Sequence, residues 1–283
     1  MTHHVIFPPS WIDASGLEEI LLSVGGPHEA ATTDSRFTFP IGCKVMIDAA
    51  VRLLSLFNQL DHCCSSVTLE FEEGESGVMG YLNRMGFYDH LSGTICVEPA
   101  RPIFSGAELY GGASDSLVEI ARINRLSRDQ DLPSRLTGAL MRACWNRPDA
   151  RELEGAAWTI FAELIDNIFS HSQTQLDGYA ALQVYPRGNS LKVAVSDSGL
   201  GIMQTLRPTL ESESPTLASL SDLNLLVEVF RQGVSRHGAD RGCGLKYSAE
   251  KAMKYKAYLD VRLQKLRVLL TPGRKGYSPD IAY

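Results

Sequence analysis

The sequence predicts an α/β (α+β) protein built from two domains, and three observations carry that prediction. Strand-like and helix-like runs alternate through the first ~110 residues, which is the pattern of a layered α/β domain. The stretch SGAELYGGASDS (Ser105–Ser116) is rich in Gly and Ser and poor in large apolar residues, so it reads as a connection. The length, 283 residues, exceeds one domain at roughly 100–200 residues each. A smaller α/β domain is therefore expected over 1–112 and a larger one over 113–283.

HVIFP and RFTFP are short β-prone runs, each closed by proline. From Gly42 to about His62, Val45, Met46, Ala49, Leu53, Leu56 and Leu60 recur at helical spacing. SVTLEF (Ser66–Phe71) reads as a buried strand, Val78–Leu91 as a helix after a Gly-rich turn, and TICVEP as another strand. After the connection, LVEIARI (Leu117–Ile123) predicts a strand. Helices are predicted over about Pro133–Trp145 and Asp149–Ser172, with Asp149 as an N-cap. Strands at Ala180–Tyr185 and Leu191–Asp197 flank PRGN, a hairpin signal. Gln204–Asp222 is rich in Ser, Thr, Pro and Glu and reads as a mobile segment. Helices at Leu223–Gln232 and Leu245–Tyr255 and strands at Tyr258–Leu263 and Arg267–Thr271 complete the reading.

Composition narrows the function classes. Twenty-seven basic residues against 33 acidic ones give a net charge of −6, so the basic field of a nucleic-acid binder is not indicated. The six cysteines form no CxxC pair and no His cluster has zinc spacing, which predicts buried or incidental thiols in a reducing compartment. The first residues, MTHHVIFPPSWID, do not read as a signal peptide, and no apolar run reaches the ~18 residues of a membrane span. A cytoplasmic protein without a membrane partner is expected.

Three short patterns carry chemistry. In FAELIDNIFSHS, Leu153, Ala157, Ile160, Leu164 and Ile168 make an apolar stripe, while Glu163, Asn167 and His171 share another face at four-residue spacing. Asn is unfavourable inside a helix, so its place between two titratable residues calls for a reason, a solvated polar face being the plainest. In VAVSDSGLGI, Asp197 closes a strand and is followed by Gly199 and Gly201. An Asp there can accept a hydrogen bond from a purine amino group, and the glycines permit a tight turn and a close approach to a ligand. In HGADRGCGLKYSAEKA, Gly242 and Gly244 precede a helix, whose N-terminal N–H groups suit phosphate.

Taken in order, these patterns resemble the ATP-binding domain shared by gyrase, the ninety-kilodalton chaperone, histidine kinases and mismatch-repair ATPases, the GHKL superfamily. ELIDN looks like its N box, DSGLG its first glycine box and GCGL its second. FRQGVS (Phe230–Ser235, with Gly233) looks like the lid segment of many histidine kinases. The resemblance covers roughly Leu117 to Thr271 and is nearest to anti-sigma-factor kinases and histidine-kinase ATP domains. It implies a Bergerat-type α/β sandwich with a mixed sheet and helices on one face. It implies ATP and Mg²⁺ as cofactors. Asn167 would ligate Mg²⁺, an amide oxygen suiting a hard cation. Asp197 would take the adenine amino group, with Gly199 and Gly201 shaping the adenine wall. Gly233 and Ser235 would belong to the lid. Gly242, Gly244, Leu245 and Lys246 would hold the phosphates, with His171 lining their end. Glu163 would be the general base.

The sequence also departs from that family. None of the seven histidines sits in a phosphoacceptor context, so a histidine autokinase is not expected. The Gly-Thr-x-Phe closing strand is missing, and TPGRKGYSPDIAY reads as a loop or tail, so the domain is expected to lack its final strand. Upstream, VTLEFEEGESGVMGYLNRM faintly resembles the strand–loop–helix of sulfate-transporter/anti-sigma-antagonist (STAS) domains. Ser76-Gly77 would there open a helix, Ser76 being either a phosphate acceptor or an ordinary N-cap. The expected function is a Mg·ATP-binding regulatory ATPase whose lid, about Met203–Arg241, signals to the N-terminal domain or a protein partner. An anti-sigma-type serine/threonine kinase and a non-hydrolysing nucleotide-binding module remain alternatives, and oligomeric state is left open.

Overall fold

The computed structural model describes residues 2–26, 34–63, 65–124, 126–233, 244–274 and 276–282, with backbone alone at 2, 170, 171, 276 and 280–282. The fold is α/β, and the chain forms two compact units, Met1–Asp129 with Leu176–Ser198, and Gln130–Gln175 with Gly199–Tyr283. Compactness thus groups the chain differently from a cut at residue 112. The strand after the Gly/Ser-rich connection and the later hairpin both belong to the first unit.

That grouping follows from one helix. The first unit contains β1 (Thr2–Ile6), β2 (Trp11–Ile12), α1 (Ala14–Ser23), β3 (Asp34–Phe39), β4 (Lys44–Val45) and α2 (Ile47–His62). Next come β5 (Ser66–Phe71), α3 (Val78–Arg84), α4 (Phe87–His90), β6 (Cys96–Glu98), α5 (Gly106–Tyr110), β7 (Leu117–Ile123), β8 (Gly178–Tyr185) and β9 (Ser190–Ser196). Strands β1, β3, β5 and β6 form a parallel sheet in that order, β2 and β4 a short parallel pair, and β7, β8 and β9 an antiparallel sheet. Helix α2 packs on β5 and also on β8 and β9. Ala49, Ala50, Val51, Leu53, Leu54, Leu56 and Phe57 are fully buried. A helix apolar on so much of its circumference needs cover on both sides, which the two sheets provide. Burying each of its leucines contributes about 2 kcal/mol.

Polar groups fix the register of these layers. Ser55 donates to Ser196 Oγ at 2.8 Å. Lys192 bonds Asp48 at 2.7 Å and Asp13 at 3.2 Å. The buried Asn58 donates to the His90 carbonyl at 3.0 Å and to the Tyr179 hydroxyl at 2.8 Å, and accepts the Ser92 N–H at 2.9 Å. Asn58→Ala leaves all three partners short of a bond. It is expected to lower stability by about 3 kcal/mol in urea unfolding; a loss below about 1 kcal/mol would contradict the bridging role.

Two expectations change in this unit. The helix expected over Val78–Leu91 is broken into α3 and α4 because Gly86 takes φ 77°, a left-handed turn that glycine adopts readily. Ser76 is not the N-cap of α3. Gly77 holds that position, and Ser76 Oγ donates to the Glu73 carbonyl at 2.7 Å. Among the described cysteines Cys43 is buried, Cys144 half-buried, and Cys63 and Cys96 exposed. Burial pushes the Cys43 thiol up to about 12.

The second unit contains α6 (Leu132–Ala143), α7 (Ala150–His171), α8 (Gly201–Glu213), α9 (Pro215–Ala218), α10 (Asp222–Gln232) and α11 (Gly244–Lys254). Strands β10 (Leu259–Arg262), β11 (Arg267–Gly273) and β12 (Gly276–Ala282) form an antiparallel sheet. The strands after Leu117 therefore lie in two antiparallel sheets, one in each unit. Helix α7 packs against α6 and α11. Its buried stripe is Leu153, Ala156, Ala157, Phe161, Ile165 and Ile168, while Ile160 and Leu164 are half-buried, a small rotation of the expected stripe. Asp149 holds the N-cap position of α7, its carbonyl accepting the Leu153 N–H at 3.0 Å, but its side chain makes no cap bond; both carboxylate oxygens accept from Arg147, at 2.8 and 2.9 Å.

Two stretches read as irregular are ordered elements. The Ser/Pro/Glu-rich segment forms α8 and α9, and Met203, Leu206 and Leu210 of α8 enter a core with Leu225, Leu226, Val229, Val268 and Leu270. Arg207 fastens the segment by donating to the carbonyls of Ala218 at 2.5 Å and Leu220 at 2.9 Å and to Asp222. The expected tail forms β12, paired to β11 across a register shift between Leu269 and Leu270. No helix among the described residues is long and apolar enough to cross a membrane.

Candidate functional site

Glu163 projects from α7, and its carboxylate stands where α11 begins. A Cβ at Gly244, the first residue of α11, would lie 2.0 Å from Glu163 Oε2. The absence of a side chain at 244 is what admits the carboxylate. The first N–H groups of α11 have no acceptor within the helix, so this corner is suited to oxygen ligands. Burial holds the Glu163 carboxyl above the ordinary carboxylate range, neighbouring Asp166 adds to that, and Lys251 partly offsets it. Lys251 itself donates to Thr159 Oγ1 at 2.7 Å, and Lys254 pairs with Glu152, so α11 is pinned along α7.

Asn167 lies one turn beyond Glu163 and is half-buried. Its Nδ2 is buried and has no hydrogen-bond partner, and the same holds for Ser172 Oγ and Ser248 Oγ in this unit. Buried polar groups usually find partners, so an orphaned amide on this face is a place for a polar ligand atom. Ser172, Ser248 and Lys251 escaped the sequence reading. Gly244, Ser248 and Lys251 stand at i, i+4 and i+7 on one face of α11, and that spacing was the available signal.

The glycines divide by role. A Cβ at Gly199 would lie 1.9 Å from the Ser172 carbonyl oxygen, and the Leu200 N–H donates to that oxygen at 2.9 Å. The close approach expected of Gly199 is thus made to the chain's own backbone. Gly201 begins α8 with φ 75° and open space beside it. Gly233 ends α10 in the left-handed region, its N–H donating to Val229 O at 3.1 Å, the usual task of a glycine at a helix C-terminus. Leu245 turns into the core of α8, α10 and β11. Lys246, the third residue of α11, is half-buried.

Asp197 belongs to the first unit. It follows β9 directly and is half-buried. Ser196, just before it, is held to α2 by the bond from Ser55. Ser235, Gly242 and the side chain of His171 lie outside the described residues, as does the end of the Met203–Arg241 segment. Within the second unit, Glu163 and Gly244 are in contact, Asn167 follows on the same face of α7, and Gly199 closes against the end of that helix. No protein-family model, curated protein or solved structure matches the chain.

Proposed function

We propose that this chain is a Mg·ATP-binding regulatory protein with ATPase activity, in which the segment from Met203 onward answers the nucleotide and signals to a partner protein. The observation that carries this reading is the Glu163 carboxylate lodged at the side-chain-free start of α11, with the unpartnered Asn167 amide one turn away. Both fit the groups proposed. A phosphate oxygen would accept from the buried Asn167 Nδ2 and from the N–H groups at the start of α11 beside Glu163, and Asn167 Oδ1, the acceptor atom of that amide, would be the one to meet Mg²⁺. Mg²⁺, when bound, would neutralise phosphate charge. Glu163 Oε2 would accept a proton from the attacking water, a task helped by a carboxyl held above its ordinary range. Asp197 is assigned the adenine amino group on the strength of the sequence pattern.

Isothermal titration with Mg·ATP tests the binding. Wild-type protein is expected to bind. Asp197→Asn, which replaces one acceptor oxygen by a donor, is expected to weaken binding about tenfold or more. Absence of wild-type binding, or equal affinity in the variant, refutes the nucleotide reading or the adenine assignment respectively.

A further inference from the structure

A short segment of the first unit presents four large apolar side chains to solvent. Ile103 is 89% exposed, Phe104 71%, Leu109 65% and Tyr110 58%. Single exposed apolar residues are ordinary, but four within one turn and the short helix after it mark an interaction surface. The backbone carrying them is fastened. Asn83 donates to the Phe104 carbonyl at 3.0 Å and accepts the Gly106 N–H at 3.1 Å. Ser105 donates to Asp89 at 2.6 Å and accepts the Glu108 N–H at 3.1 Å, capping α5. Arg84 donates to the Tyr110 carbonyl at 3.0 Å, and its guanidinium lies 6.0 Å from the Tyr110 ring centre. Gly106 sits so close to α3 that a Cβ there would lie 3.0 Å from the Arg84 Cα. Side chains held out on an ordered backbone avoid much of the ordering cost of association.

Charge selects the occupant. Asp89 and Glu108 border the segment and are exposed, whereas Arg84 is neutralised by Glu119 at 2.6 Å. A two-fold contact centred on this segment would bring each copy's Asp89 and Glu108 against its own counterpart near the axis. An anionic bilayer would repel them as well. We propose that Ile103, Phe104, Leu109 and Tyr110 form an anchor that enters an apolar pocket of a partner protein, with lysine or arginine on the pocket rim facing Asp89 and Glu108. Buried aromatic and aliphatic anchors ringed by polar contacts are the usual source of binding energy at such interfaces. The proposal is independent of nucleotide binding.

A photo-cross-linking phenylalanine analogue placed at Leu109 of the full chain, in the cells that make it, tests the proposal. One dominant protein adduct is expected, mapped to an apolar surface bordered by Lys or Arg, and absent when the probe replaces Trp145, which is 76% exposed in the second unit. With that protein purified, Phe104→Ser and Glu108→Lys are each expected to raise Kd at least about tenfold, and Phe104→Leu to restore most of the affinity. Circular dichroism checks that the variants stay folded. Adducts with a second copy or with lipid, no adduct, equal labelling from position 145, or a Kd unmoved by either substitution overturns it.

Discussion

Gly199→Ala is expected to cost about 3 kcal/mol or more of stability, the largest loss from adding one methyl group anywhere on the second unit's candidate site. The added Cβ would meet the Ser172 carbonyl oxygen at 1.9 Å, its Cα at 2.2 Å and its carbonyl carbon at 2.3 Å. All three are backbone, at a residue 1% exposed, so no rotamer change relieves the overlap. Either the end of α7 or the chain entering α8 must move, and the Leu200 N–H to Ser172 O bond then opens. Gly201→Ala makes a sharp control. It meets nothing within 4 Å, so its cost is that of a left-handed backbone alone, about 1–2 kcal/mol. Urea unfolding of both variants decides the matter: a Gly199→Ala loss no larger than that of Gly201→Ala would mean that the contact with Ser172 is slack.

Those two glycines also show how far the residues could be read beforehand. The pattern DSGLG predicts a tight turn and a close approach to a ligand; the turn is present at Gly201, whereas the close approach at Gly199 is to the chain's own backbone. What sequence could not say is that the close approach is to Ser172, because the partner is distant in the chain and contributes only backbone. Strands such as β5 and β7 were legible to the residue because their apolar runs end in abrupt turn signals. Helix α8 was not. Its Ser, Thr and Pro lower local propensity, and only the core that takes up Met203, Leu206 and Leu210 makes it helical. β12 is hidden in the sequence for a related reason: GYSPDIA carries a proline and little alternation, and its strand character comes from pairing with β11. The same limit applies to the grouping of β7, β8 and β9 with the first unit. Ser105–Ser116 is a true break in composition, but α2 gathers strands from both sides of it. On α7, the spacing of Glu163 and Asn167 was plain, whereas the contact of Glu163 with Gly244 joins residues that only the packing of α11 on α7 brings together.

Glu163→Gln is expected to lower phosphate release from ATP about 100-fold or more while leaving Mg·ATP binding and the fold in place. The same substitution is expected to raise stability at neutral pH, and that pairing is what separates a general base from a helix-end partner. The Glu163 carboxyl is held above its ordinary range in the folded chain, chiefly by burial. The native state therefore keeps the proton more tightly than the unfolded state. Stability contributed by the protonated form is fully present below the unfolded pKa and is lost as pH rises through the folded one. Glutamine never ionises, so its advantage lies above that range and vanishes below it. A carboxylate whose only task is to meet the N–H groups at the start of α11 predicts the reverse, because its replacement by a neutral amide weakens the attraction to the helix end and lowers stability, with little change in turnover. Lys251 adds a second readout. Its charge lowers the Glu163 pKa, so Lys251→Met is expected to move the acid limb of the turnover–pH profile to higher pH. Turnover that persists in Glu163→Gln, or an acid limb that stays in place without Lys251, removes Glu163 from the chemistry and leaves it a structural neighbour of Gly244.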